Sequence, residues 1–249
     1  MSMESKKTIF AVSDIHGYYT AFKRALDESG FDAENENHIF MCLGDLFDRG
    51  EENVAVYDYI KALPRKILLR GNHDEVLRDA LVSGALSQVV TDNNTDLTIK
   101  DFLGKDAIDE NGRIDVETHA EKVRELIAFV DSMGDYYEVG DLIFTHGWLP
   151  IDVDKKRRTA CLLQNWRDAS AEEWSDAHWV SWNEVYSVGA VLDGKTIVCG
   201  HRTARMGDRF DPMREPDCTE PFFGKGVIAI DAGTNRSGRV NVLRLEISD

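Results

Sequence analysis

Seven consecutive residues, Gly44-Asp45-Leu46-Phe47-Asp48-Arg49-Gly50, place two carboxylates and a guanidinium within five positions, directly after the apolar run Ile39-Phe40-Met41-Cys42-Leu43. That run predicts a buried strand, and the charged residues stand at its C-terminal tip. The flanking glycines permit a sharp turn and close approach of a ligand. An acidic pair beside an arginine at a buried strand end is costly unless something is bound there. Metal ions and a phosphate satisfy that chemistry.

The pattern recurs along the chain. Asp14, His16, Asp45, Asp48, Arg49, Arg70, Asn72, His73, His146 and His201 all stand just after short apolar runs. Carboxylates and imidazoles without thiolates suit Mn, Fe or Zn. Two such ions, held roughly 3.5–4 Å apart, need one carboxylate to bridge them. Asp45 is the expected bridge, with Asp14 and His16 facing one ion and Asn72, His146 and His201 completing the other. A neutral Asn72 oxygen adds a bond without adding negative charge. Singly, an Asp-x-His pair or a strand-end histidine reads as an ordinary hydrogen-bonded residue. Their occurrence in series, each after a strand and beside a glycine, carries the metal reading.

The elements that must position these residues are legible in part. Residues 8–12, 39–43 and 66–69 read as strands, each followed by a polar loop and then a helical pattern. The first helix carries Tyr18, Phe22, Ala25 and Leu26 at helical spacing; the second carries Val56, Tyr59, Ile60 and Leu63 and ends at Pro64; the third runs over 75–81. Three strand-loop-helix units predict a largely parallel sheet with one crevice at the strand C-termini. Over 83–118 the pattern weakens, and residues 91–96 and Asn111-Gly112 give loop and turn signals, so this stretch is expected to be an insertion over the site. A helix with Val123, Leu126, Ile127 and Val130 follows, then a hairpin of 136–139 and 142–145, a helix over 171–186 and a strand over 196–199. Residues 226–230 and 240–246 read as a closing hairpin around Asp231-Ala232-Gly233. The basic run Lys155-Lys156-Arg157-Arg158 reads as a solvated face.

No composition break divides residues 1–249, so a single domain is expected. The chain is 43% hydrophobic and 30% charged, with a formal charge of −16. Such a field repels nucleic-acid backbones and anionic membranes, which argues against generic nucleic-acid binding and against a membrane partner. It also requires that any anionic substrate be captured by local cations. The polar start and the absence of a long apolar run give no signal peptide or membrane span. Cys42, Cys161, Cys199 and Cys218 form no close pair and are expected to be reduced thiols of a cytoplasmic protein.

The series Asp14-Ile15-His16-Gly17, Gly44-Asp45-Leu46-Phe47-Asp48-Arg49-Gly50, Gly71-Asn72-His73-Asp74, His146-Gly147 and Gly200-His201 resembles the calcineurin-like metallophosphoesterase superfamily. The Asp-Arg-Gly ending and the arginine before Gly-Asn-His resemble its phosphoprotein phosphatase branch, which includes bacterial Ser/Thr phosphatases and diadenosine tetraphosphatases. The motifs run from residue 14 to residue 201. The resemblance implies an α/β fold with two mixed β-sheets packed as a sandwich and flanked by helices, so that the parallel arrangement holds only in the first half. It implies two divalent ions and a phosphorylated substrate, either a phosphoprotein or a small phosphoester or nucleotide. Asp48 would orient His73, the acid that protonates the leaving alcohol, while Arg49 and Arg70 hold phosphoryl oxygens. Asn72 would also face the substrate, and Arg167 is a candidate third clamp, with a surface arginine packed beside Trp166 as the plainer reading. The sequence departs from the pattern at Ser13 and Asp74, neither of which removes a ligand, and at Trp148, which is expected to narrow the pocket or change what stacks there, with stacking of a base as one use. It departs also at Thr203, which stands where many superfamily members outside this branch have a second histidine and leaves the first metal with fewer protein ligands. The implied activity is that of a phosphomonoesterase such as a Ser/Thr protein phosphatase. The alternative is hydrolysis of a dinucleoside polyphosphate. A non-catalytic phosphate-binding scaffold would be expected to have lost a ligand or the Asp48–His73 pair, and none is missing.

Overall fold

In a computed structural model that describes residues 6–154 and 159–247, two sheets pack face to face with helices on both outer sides. The basic run at 155–158 lies outside the described residues. The first half alternates strand and helix: β1 (Lys7–Val12), α1 (Tyr19–Glu28), β2 (His38–Cys42), α2 (Asn53–Ala62), β3 (Lys66–Leu68) and α3 (Asn72–Ser83). Then come α4 (Gln88–Asp92), α5 (Thr95–Leu103), α6 (Ala120–Asp131) and the antiparallel pair β4 (Tyr136–Val139) and β5 (Leu142–Thr145). The remainder holds β6 (Ile151–Asp154), β7 (Thr159–Leu162), α7 (Ala171–His178), α8 (Trp182–Ser187), β8 (Thr196–Cys199), β9 (Phe222–Gly224), β10 (Val227–Ala229), α9 (Thr234–Ser237) and β11 (Leu243–Ile247).

One sheet has the order β11-β1-β2-β3, the other β4-β5-β8-β10-β9, and β6 and β7 form a separate hairpin. β1, β2 and β3 are mutually parallel, with Ile9 beside Ile39 and Met41 beside Ile67. Parallel pairing is not confined to the first half, because β5, β8 and β10 are also parallel, and antiparallel strands lie at the edges. Six strand C-termini therefore point the same polar loops into one crevice between the sheets.

Strand alternation explains why these runs are apolar throughout. Ile9 and Ala11 of β1, Met41 of β2, Phe144 of β5 and Val198 of β8 fill the space between the sheets. Their neighbours Phe10, Phe40 and Cys42 face α1, α2 and the other helices on one outer side, while Ile143, Ile197 and Cys199 face the tryptophan-rich layer on the other. Cys42, Cys161, Cys199 and Cys218 are all free thiols.

Three local expectations are corrected. The stretch 83–118 is not mostly loop: α4 and α5 form there, and Val90, Ile99 and Leu103 join the core. Its Thr and Asn content suggested turns, but long-range contacts determine the local conformation. The helix expected over 171–186 breaks at 179–181, where Trp182 is anchored by its indole N–H donating to the Arg202 carbonyl at 2.7 Å and by stacking on Phe222. Residues 226–230 and 240–246 form no hairpin, since β10 pairs with β8 and β9 while β11 crosses to pair antiparallel with β1. Leu243 buried between the sheets anchors that crossing.

Candidate metal and phosphoester site

The crevice collects Asp14 and His16 after β1, Asp45, Asp48 and Arg49 after β2, Asn72 and His73 on the first turn of α3, His146 after β5 and His201 after β8. Backbone bonds lock the first two loops together: Asp14 N–H donates to the Gly44 carbonyl at 3.1 Å, His16 N–H to Asp45 at 3.0 Å and Gly50 N–H to His16 at 2.9 Å. Gly44, at φ +96°, lies so close to Gly71 that a Cβ on either would collide with the other loop's backbone. The Asp74 carboxylate accepts N–H bonds from Asp45, Leu46 and Gly71 at 2.9, 3.2 and 2.9 Å, tying the second loop to α3. Among the described residues, eight non-glycine positions have positive φ, and six of them are Asp14, His16, Asp45, Asp48, Arg49 and His201. Each such position costs about 1–3 kcal/mol and persists where the surroundings over-determine it, as at ligand sites.

Two groups of ligand atoms, each within 4.8 Å of one another, share Asp45: His16 with Asp45 and His73, and Asp45 with His146 and His201. Asn72 Oδ1 lies 2.9 Å from both His146 Nε2 and His201 Nδ1. In the first group Asp14 stands slightly back, its Oδ1 3.7 Å from His16 Nε2, while its Oδ2 accepts the His201 backbone N–H at 2.9 Å and the Ser13 hydroxyl. His73, expected as an acid rather than a ligand, is the nearer third member.

The donor chemistry fits divalent ions. His16 donates its Nδ1–H to the Phe47 carbonyl at 2.9 Å, and His146 donates its own to Leu43 at 2.7 Å. These bonds fix the tautomer and turn each Nε2 lone pair inward. His16 Nε2 then faces Asp45 Oδ2 at 3.6 Å, and His146 Nε2 faces Asp45 Oδ1 at 3.4 Å. Lone pairs and carboxylate oxygens converging on one point repel unless a cation lies between them. At His16 the Arg49 guanidinium supplies positive charge, donating to Nε2 at 2.7 Å. No cationic side chain among the described residues is hydrogen-bonded to the His146 or His201 ring. Burial, then Arg49 and His73, hold His16 well below its usual pKa, and burial, then His146 and His73, lower His201 to about 2, so both imidazoles are neutral and free to ligate a cation. Burial raises the Asp45 carboxyl well above the usual range, against the pull of His73 and with the charges of Asp14 and Asp74. A bound dication would reverse that shift.

Beside these candidate ligands, His73 donates Nδ1–H to Asp48 Oδ2 at 2.7 Å, and its Nε2 lies 2.9 Å from Arg49 Nη2. Burial pushes the His73 pKa down, but Asp45 and Asp48 more than offset it, and the net shift is upward. Asp48 is itself held: Thr95 and Thr98 hydroxyls donate to its two oxygens at 2.6 Å each, and its backbone N–H is shared between Asn53 Oδ1 and Thr98 Oγ1, both at 3.1 Å. The 83–118 stretch thus supports the site through α5.

Other expected residues stand elsewhere. Arg70 donates to the Met133 carbonyl at 3.0 Å and lies 4.0 Å from Glu75 and 3.9 Å from Asp135, beside buried His178 rather than in the ligand cluster. Arg167 pairs bidentately with Glu138 at 2.9 Å and stacks over Trp166, so it is not brought to the site. Trp148 neither narrows a pocket nor offers a face, being 0% exposed with its indole N–H donating to the Ala190 carbonyl at 3.2 Å. Exposed Trp179 instead sits edge-on to His201 at 6.3 Å. Thr95, Thr98 and Asn53 were missed because nothing local marks them. Asp231 was missed despite a visible signal, an acid and a glycine after an apolar strand; it is buried, and Asp14 adds to burial in raising its pKa well above the usual value.

The architecture and the shared-carboxylate cluster together define a two-sheet fold with a polar crevice built for divalent ions. Residues 7–225 match the family model for the calcineurin-like phosphoesterases, and the chain belongs to that family. It is 39% identical over 69 residues to the symmetrical bis(5'-nucleosyl)-tetraphosphatase of Buchnera aphidicola, a match covering 27% of this chain and 24% of that one. It is 26% identical over 244 residues to the Shewanella-like protein phosphatase 1 of Plasmodium berghei, covering 78% of this chain and 60% of that one. The matches thus span about a quarter and three fifths of these relatives' lengths. A metallophosphoesterase from Sphaerobacter thermophilus shares the fold, with a TM-score of 0.52 at 17% identity over 96% of this chain and 89% of that one. No helix among the described residues is long and apolar enough to cross a membrane.

Proposed function

We propose that this protein is a metal-dependent phosphoester hydrolase, acting first on phosphate monoesters such as phosphoserine or phosphothreonine. The observation that carries this reading is the pair of ligand groups sharing Asp45, adjoining the chain Thr95/Thr98–Asp48–His73. Asp14, His16, Asp45, Asn72, His146 and His201 would hold two divalent ions, Mn, Fe or Zn, which supply a water of lowered pKa and stabilise charge on the attacking and leaving oxygens. His73 would give a proton from Nε2 to the leaving oxygen, with Asp48 fixing its Nδ1–H and favouring the imidazolium, once substrate draws the Arg49 guanidinium, which faces Nε2 at 2.9 Å, onto a phosphoryl oxygen. Arg49, next to both His16 and His73, binds phosphoryl oxygens. Arg70 and Arg167 have carboxylate neighbours, so a clamp role for either would require that they leave them.

A second reading, cleavage of a phosphoanhydride in a dinucleoside polyphosphate, is favoured by the cluster of arginines beside His201. Product analysis separates the two. Mn-loaded protein is offered p-nitrophenyl phosphate, a phosphothreonine peptide and diadenosine tetraphosphate, each with a chelator control. Chelator-sensitive phosphate release from the monoesters alone supports the first reading, and faster cleavage of the dinucleotide supports the second. Failure to turn over any of the three with Mn, Fe or Zn would remove the hydrolase proposal.

A further inference from the structure

Adjoining the metal crevice, and sharing Arg49 and His201 with it, is an open cleft of about 520 Å³. Its walls are the helical turn Ala204–Arg209, which carries Arg205 and Arg209, and α9, which carries Arg236; Arg202 lies between His201 and the first wall. Two bonds hold the walls in place: Ala204 N–H donates to the Asp231 carbonyl at 2.7 Å, and the Asp231 carboxylate accepts the Gly233 N–H at 2.6 Å.

Five guanidinium groups line this cleft against two carboxylates, Asp208 and Asp231. In a chain of net charge −16 such a local excess of cations is against the overall trend. Arg205 is paired with Asp217. Among the described residues the guanidinium groups of Arg202, Arg209 and Arg236 have no carboxylate partner, although the surface is acidic and partners are abundant. Like-charged groups gathered without counter-charges repel one another, and an anion that accepts from several at once relieves the repulsion. The cleft is polar and open, so it does not suit an apolar group. Its continuity with Arg49 and His201 places that anion on the same ligand as the scissile phosphorus.

We infer that this cleft binds the further phosphates of a substrate that carries a phosphate chain, a nucleoside polyphosphate, while the phosphorus to be attacked lies at the Asp45 cluster. The inference rests on the hydrolase reading above and deepens its second form. A single-phosphate ester reaches only Arg49 and leaves Arg202, Arg209 and Arg236 unused, so the cleft discriminates by the number of phosphates.

The test is the double variant Arg209→Ala/Arg236→Ala, with unfolding temperature as the control for folding. Titration calorimetry on metal-free protein compares inorganic tripolyphosphate with orthophosphate. The wild type is expected to bind tripolyphosphate at least about tenfold more tightly than orthophosphate, with strong weakening by salt, and the variant to lose most of that difference. In Mn-loaded enzyme, the KM for diadenosine tetraphosphate relative to that for p-nitrophenyl phosphate should rise about tenfold or more in the variant. Equal tripolyphosphate binding by variant and wild type would overturn the assignment, as would an unchanged KM ratio, or loss confined to an acidic phosphopeptide. The calorimetry needs no turnover, so a protein that binds tripolyphosphate through these arginines but hydrolyses nothing would refute the hydrolase reading and not the cleft.

Discussion

At the scale of single residues, His73 is the most exposed to test, because geometry groups it with His16 and Asp45 as a ligand while its bond to Asp48 and raised pKa suit an acid. If it is the acid, His73→Ala should lower turnover of a phosphothreonine peptide by about 10²–10⁴ with metal content unchanged. p-Nitrophenolate leaves without much help from a proton, so that ester should lose far less. Atomic emission on the purified variant gives the metal content, and loss of an ion would make His73 a ligand instead. The pH dependence has a definite sign. In the metal-free site Asp45 and Asp48 both favour protonated His73, against its burial, so loss of the acid form sets an alkaline limb of kcat. Asp48→Asn removes one of those charges, and the alkaline limb should move toward lower pH; a limb that stays put would detach Asp48 from the acid.

At the scale of elements, α5 is the segment that could not be anticipated from local pattern. Thr and Asn around 91–98 are turn signals in isolation, and only the structure shows that Thr95 and Thr98 point at Asp48, some fifty positions earlier. By contrast, the strand ends were readable, because a buried apolar run followed by an acid or histidine and a glycine has one periodicity and few alternatives. The break before α8 and the partners of β10 and β11 were not legible for the same reason as α5: Trp182 and Leu243 take their positions from partners distant in sequence. Thr98→Val tests whether α5 supports the site. The change removes a donor to Asp48 Oδ1 and one acceptor from its backbone N–H, which costs about 1–3 kcal/mol in a buried setting. Urea unfolding should show that loss together with a fall in kcat, and Thr98→Ser should restore both. Full activity in the valine variant would reduce α5 to a packing element.

For the molecule as a whole, the proposed ligands come from both sheets: Asp14, Asp45 and Asn72 follow β1, β2 and β3, whereas His146 and His201 follow β5 and β8. An apolar core lies between the sheets, and at this end carboxylates and imidazoles face one another. That end is electrostatically unfavourable without a cation, since burial, together with the charges of Asp14 and Asp74, raises Asp45 well above its usual range. Divalent ions should therefore act as a cross-link between the two halves of the sandwich. A ligand present at about 100 times its dissociation constant stabilises the folded state by about 2.7 kcal/mol, which for a chain of this size corresponds to about 5–10 °C in unfolding temperature. Scanning calorimetry with excess Mn and then with chelator should show a shift of that order in the wild type. In Asp45→Asn, which removes the shared charge, the Mn-dependent shift should largely vanish even though the metal-free variant unfolds at or above the wild-type temperature, because a buried like-charge contact has been removed. A metal-dependent shift of full size in Asp45→Asn would mean that the ions bind without the bridge, and the two halves would then be held by the apolar core alone.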